Sequence, residues 1–113
     1  MTVKNDRRST HRHTVTLPAR LTVGEETHEV AILDLSVGGA HLAFGQRLTM
    51  GQSVQILFEV PEHSHSQSHL IDVQATVRWS NREHMGIQFE GLEPRQVWVM
   101  NKFFDSLDSG RDD

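Results

Sequence analysis

Cysteine is absent from this 113-residue chain. Disulfides, thiolate metal sites and cysteine nucleophiles are therefore excluded, and a reducing compartment suits the composition. Long hydrophobic runs are missing too. No stretch approaches the roughly 20 apolar residues a membrane-spanning helix needs. The opening residues, Met1-Thr2-Val3-Lys4-Asn5-Asp6, lack the apolar centre of a signal peptide. The expectation is a cytoplasmic protein with no membrane insertion. Aromatic residues make up only 6% of the chain, few for a protein that stacks single-stranded bases along its surface. Excess positive charge is also lacking: the formal net charge is −4, which argues against a general DNA or RNA binder. What remains is a chain of the length of one domain, able to bury a single core without covalent help.

The charge is unevenly spread. Residues 1–20 carry Lys4, Arg7, Arg8, Arg12 and Arg20 against Asp6 alone, a local +4, so the other residues carry −8 of the total −4. A short cationic arm on an acidic body suits a compact anion better than a long polyanion, which would have to lie along the body. Residues 1–13 have no apolar residue after Val3 and no periodicity, and read as a flexible basic arm.

From residue 14 the pattern is that of strands. Val15, Leu17, Ala19, Leu21 and Val23 alternate at period two, with Pro18 marking an edge or a bulge. Gly24-Glu25-Glu26 is a turn, and 27–33 returns as the second strand of a hairpin. Residues 34–39 form another turn before a short strand over 40–44. A loop over 45–52 leads to a strand over 54–60, which Pro61 stops. Residues 62–68 form a polar loop. The segment 70–79 is a long strand with Ile71, Val73, Ala75, Val77 and Trp79 on one face, and 84–90 is the last strand. Pro94 opens an amphipathic helix over 93–107, along which Val97, Trp98, Met100, Asn101, Phe104 and Leu107 recur at helical spacing and mark the expected inner face. Residues 108–113 read as a frayed tail. The fold expected is all-β: a six-stranded antiparallel barrel or split barrel over 14–107, finished by a C-terminal helix.

Two segments carry the chemistry. The first is Arg7-Arg8-Ser9-Thr10-His11-Arg12: three planar, permanently charged guanidinium forks within six residues match phosphate oxygens and the guanine O6/N7 edge. The second is Asp34-Leu35-Ser36-Val37-Gly38-Gly39. Its carboxylate can accept from a guanine N1/N2 edge, its hydroxyl can bond a phosphate, and its glycines permit positive φ and close approach of a ligand. Each has a plain alternative: a solvated basic tail, and a strand-connecting turn in which Asp34 and Ser36 satisfy local N–H groups. Trp79 ends its strand, where it either caps the core or offers a stacking face. His63, His65 and His69 lie in a Ser-rich loop with no Cys or Asp partner nearby, which points to a solvated loop and not to a metal site. Ser36 near His41 lacks the pattern of a nucleophile elbow, and no acid–base pair or metal set stands out, so the chain does not read as an enzyme.

The two segments together resemble the signature of the PilZ domain, the bacterial receptor module for cyclic di-GMP. Arg8-Ser9-Thr10-His11-Arg12 matches R-x-x-x-R, and Asp34, Ser36 and Gly39 occupy the [D/N]-x-S-x-x-G positions one hairpin later. Val77-Arg78-Trp79 and Gly86-Ile87-Gln88-Phe89 resemble the closing strands, and the likeness spans about residues 6–105. It implies that Arg8 and Arg12 bind phosphates and guanine faces, and that Asp34, Ser36 and Gly39, with Gly38, meet the ligand from the barrel surface. Arg7, just before the motif, would favour a stacked pair of ligands over one, and Trp79 would flank a guanine. The implied activity is a second-messenger receptor and adaptor that passes ligand occupancy to an effector protein, with the arm folding over the ligand. The competing readings are an interaction module of the same fold that needs no ligand, and a nucleic-acid binder working through the basic arm.

Overall fold

The computed structural model describes residues 12–62 and 67–111. Six strands, β1 (His13–Val23), β2 (Glu26–Leu35), β3 (Gly39–Ala43), β4 (Ser53–Glu62), β5 (Gln67–Ser80) and β6 (His84–Glu90), precede one helix, α1 (Pro94–Arg111). The strands close into a barrel in the order β1-β2-β3-β6-β5-β4, with every pairing antiparallel. Closure gives every strand a neighbour on both sides, although β1 and β4 meet only over Ala19–Thr22 and Gln55–Phe58. The expected all-β barrel with a C-terminal helix is the observed architecture.

Period-two alternation places Leu17, Ala19 and Leu21 of β1 inside with Ile56 and Phe58 of β4 and Ile71, Val73, Ala75 and Val77 of β5. Val15 and Val23, at the ends of the same β1 face, are partly buried against this core. Proline is tolerated where a neighbour is missing. β1 pairs with β4 only over Ala19–Thr22, so Pro18 sits just outside that ladder. Pro61 does not stop β4, contrary to expectation: the strand runs on to Glu62 with Pro61 opposite Ser68. Beyond Phe58, β4 has no β1 partner that would require an N–H.

The helix also differs from the expected one. Pro94 stands at its first position, and the Gln96 side chain accepts from the Glu93 N–H at 2.9 Å, half of a capping box. The buried stripe is Val99, Met100, Phe103 and Phe104, with Trp98 58% exposed and Asn101 exposed. The apolar face is rotated from the expected one because Val99 and Phe103 point at the barrel. α1 packs against β4, and His13, at the start of β1, stacks flat on Phe104 with ring centroids 4.1 Å apart. The helix continues through residues 108–111, beyond the expected end at Leu107.

Candidate functional site

Three irregularities gather around one end of the barrel. The β1–β2 register shifts between Thr14 and Leu17, β2–β3 between Ile32 and Asp34, and β5–β6 between Val77 and Trp79. Each inserts extra chain on one strand and re-aims the side chains beyond it. In β2 the inside positions change from Val30 and Ile32 to Leu35, which leaves Asp34 on the outer side, part-buried. In β5 the run Ile71, Val73, Ala75, Val77 is buried, but Trp79 falls outside and is 41% exposed. This corrects the expectation that Trp79 continues the inner face. It also favours the stacking-face alternative over core packing for this residue.

The segment expected as one six-residue turn is shorter. Asp34 and Leu35 belong to β2 and Gly39 to β3, leaving Ser36, Val37 and Gly38 as the connection. Ser36 is 5% exposed. Its Oγ accepts from the Gly38 and Gly39 N–H groups at 3.1 and 3.2 Å and donates to the Gly39 carbonyl at 3.4 Å. The Ser36 N–H donates to the same carbonyl at 2.9 Å, and the Phe89 N–H of β6 donates to the Gly38 carbonyl at 2.9 Å. The hydroxyl is thus fully occupied within its own turn. Gly39 does not use the positive φ that was expected to explain a glycine there. Its reason is contact: a Cβ would lie 2.1 Å from the Ile87 carbonyl oxygen. Left-handed glycines do occur, at Gly24, Gly51 and Gly91, away from this turn.

Beside the turn lies an open cleft of about 530 Å³, lined by Arg12, the residues Ser36, Gly38 and Gly39 of the turn, and His41, Arg78, Trp79, Gly86 and Gln88. Five of the residues expected at a site therefore share one concavity: Arg12, Ser36, Gly38, Gly39 and Trp79. Asp34 stands directly behind it, its Oδ2 3.2 Å from His41 Nδ1. Arg7 and Arg8 lie outside the described residues, as do His63 and His65, and no cluster of three or more possible metal ligands occurs among the described residues.

Six lining residues were not expected from the sequence, two of them the buried Ala40 and Ile87. Arg78 donates to the Gln88 side chain across the β5–β6 ladder, placing a second guanidinium beside Arg12 at the cleft. His41 faces Asp34 across the β2–β3 register and meets the Trp79 ring edge-on at 5.3 Å and the His84 ring at 4.9 Å. Gly86 is buried because the Trp79 indole lies over it: a Cβ there would meet Trp79 Nε1 at 2.2 Å. A strand glycine opposite a strand-end tryptophan was the one signal available for this contact. Arg78, His41 and Gln88 are ordinary strand residues whose role depends on register. Chemically the cleft offers cationic donors, a flat aromatic face, part-buried turn backbone and a carboxylate at its back, a set suited to a planar base attached to a phosphate.

Comparisons with known proteins agree with this architecture. Among solved structures, the Bacillus subtilis inhibitor of motility (MotI/DgrA) superposes with a TM-score of 0.77 at 19% identity, over 93% of this chain and 53% of that one. This chain thus spans about half the length of that protein. The PilZ domain of YcgR from Escherichia coli, solved with c-di-GMP, gives 0.71 at 14% identity, over 92% of this chain and 93% of that one. PlzA from Borreliella burgdorferi, in complex with c-di-GMP, gives 0.60 at 16% identity, over 91% and 43% respectively. No curated protein matches the sequence. The family model described as the PilZ domain matches residues 6–105, and with nearly the whole barrel and helix inside that match, the chain belongs to the PilZ domain family.

Proposed function

We propose that this chain is a cyclic di-GMP receptor that works as an adaptor and not as an enzyme. The observation that carries the reading is the convergence of Arg12, the 36–39 turn and Trp79 on one cleft. Two similar folds, YcgR and PlzA, were solved with that ligand. In this reading the basic arm, which ends where β1 begins at His13, brings Arg7 and Arg8 to the ligand beside Arg12, and together they neutralise its two phosphates. Trp79 stacks on a guanine, Asp34 accepts from a guanine N–H edge, and Gly38 and Gly39 allow the ligand to approach the backbone. Ser36 contributes by fixing the turn, since its hydroxyl is already engaged. Ordering the arm costs conformational entropy, which the charge-assisted hydrogen bonds must exceed. It also changes the surface presented to an effector protein. Arg7 sets whether one ligand or a stacked pair is held.

Isothermal calorimetry with cyclic di-GMP tests this. The unsubstituted chain should bind, and Arg8→Ala or Arg12→Ala should weaken binding by about 10- to 150-fold, the range for losing one hydrogen-bonded charge at about 1.5–3 kcal/mol. Rising salt should weaken it further. Wild-type affinity in both variants would refute the arm's role. A second reading, an interaction module that needs no ligand, draws on the exposed Trp98 of α1, with Lys102 Nζ 5.7 Å from its ring centroid. Absence of any heat with cyclic dinucleotides would favour it.

A further inference from the structure

His41 is not one of the R-x-x-x-R or [D/N]-x-S-x-x-G residues, yet it touches two of the side chains placed at the ligand. Its Nδ1 lies 3.2 Å from Asp34 Oδ2, and its ring meets Trp79 edge-on at 5.3 Å between centroids. The β2 bulge brings this about: without the register shift between Ile32 and Asp34, the carboxylate would not stand opposite residue 41. A carboxylate only accepts, so the His41 proton must sit on Nδ1, and in the neutral ring Nε2 is left as an acceptor. That Nε2 is buried and has no hydrogen-bond partner among the described residues. A buried acceptor without a partner costs about 1–3 kcal/mol. An apolar ring of the same shape would fill this place without that cost, so packing does not account for a histidine here.

We propose that His41 is a positioning residue that sets guanine selectivity. Its Nδ1–H holds the Asp34 carboxylate in one orientation, with the other oxygen free to accept from the N1/N2 edge of a guanine, while its ring edge steadies the Trp79 indole over Gly86. Adenine has no N1–H and presents an acceptor at that position, so the benefit of a fixed carboxylate is specific to guanine. This inference rests on the receptor reading and adds to it the residue that orients the base-reading group. Residues in such a chain of contacts are expected to act non-additively.

The test is calorimetry with cyclic di-GMP and cyclic di-AMP on the full chain and on His41→Phe, His41→Gln, Asp34→Ala and the Asp34→Ala/His41→Phe pair, with thermal unfolding of each. His41→Phe keeps a ring against Trp79 and removes the donor. It should lower cyclic di-GMP affinity about tenfold, leave cyclic di-AMP binding within twofold, and leave the unfolding midpoint equal or higher. His41→Gln, whose amide can donate to the carboxylate, should recover most of the lost selectivity. In the Asp34→Ala background, His41→Phe should have no further effect on guanine selectivity. An unchanged ratio of the two ligands in His41→Phe, or equal loss of both, overturns this inference alone. If the unsubstituted chain binds neither ligand, the receptor reading falls and the inference falls with it.

Discussion

Replacing Gly39 by alanine should damage the turn and the barrel together, and the structure supplies the size of the effect. A Cβ at this position would sit 2.1 Å from the Ile87 carbonyl oxygen, 3.1 Å from its carbonyl carbon and 3.2 Å from Gln88 Cα. All three are backbone atoms of β6, so no rotamer change relieves the clash. β3 and β6 would have to part by about 1 Å, stretching an N–H···O bond of 2.9 Å, such as that from Phe89 to Gly38, past the useful hydrogen-bond range. Losing about two such backbone bonds, with one buried group left unsatisfied, amounts to roughly 2–4 kcal/mol. For a domain of this size that lowers the unfolding midpoint by about 10–15 °C. Thermal unfolding followed by circular dichroism reads it directly. Gly45→Ala is the control, because nothing lies within 4 Å of its added Cβ and its φ is not left-handed. A Gly39→Ala midpoint within about 3 °C of the parent would refute the argument that close approach, and not backbone conformation, fixes this glycine.

Gly86→Ala meets a side chain and not backbone, its Cβ falling 2.2 Å from Trp79 Nε1. The indole can swing away, so the expected stability loss is smaller, about 1 kcal/mol, with a red shift in tryptophan emission and weaker cyclic di-GMP binding. Unaltered emission would show that the indole never lay on Gly86. Ser36→Ala removes the acceptor of two N–H groups in a buried turn and should cost about 1–3 kcal/mol of stability, measured by urea unfolding. Loss of ligand affinity with no loss of stability would instead place Ser36 in direct contact with the ligand.

The strand count and the hairpin order were legible because each strand alternates at period two between turn residues, as in β6, whose limits match the sequence reading. The helix was legible in its start but not in its face. Trp98 and Val99 are equally apolar neighbours, and only the position of the barrel decides which one is buried. Five of the eight expected site residues line one cleft and Asp34 stands behind it. Their convergence was suggested by motif spacing, while His41, Arg78, Gly86 and Gln88 were not, because cross-strand partners depend on a register that local patterns do not encode.

By itself, then, the sequence determined the elements and the chemical groups: six alternating strands, one helix opened by Pro94, an arginine-rich arm and a Ser–Gly turn. These are local properties, set by side-chain period, turn chemistry and charge. Tertiary structure decided where the groups point. Bulges in β2 and β5 turned Asp34 outward and lifted Trp79 off the inner face, the closing of β3 on β6 made Gly39 obligatory by backbone contact, and the pairing of β5 with β6 laid the Trp79 indole over Gly86. A bulge adds one residue to one strand only, so its effect exists only relative to the partner strand, which the sequence does not name.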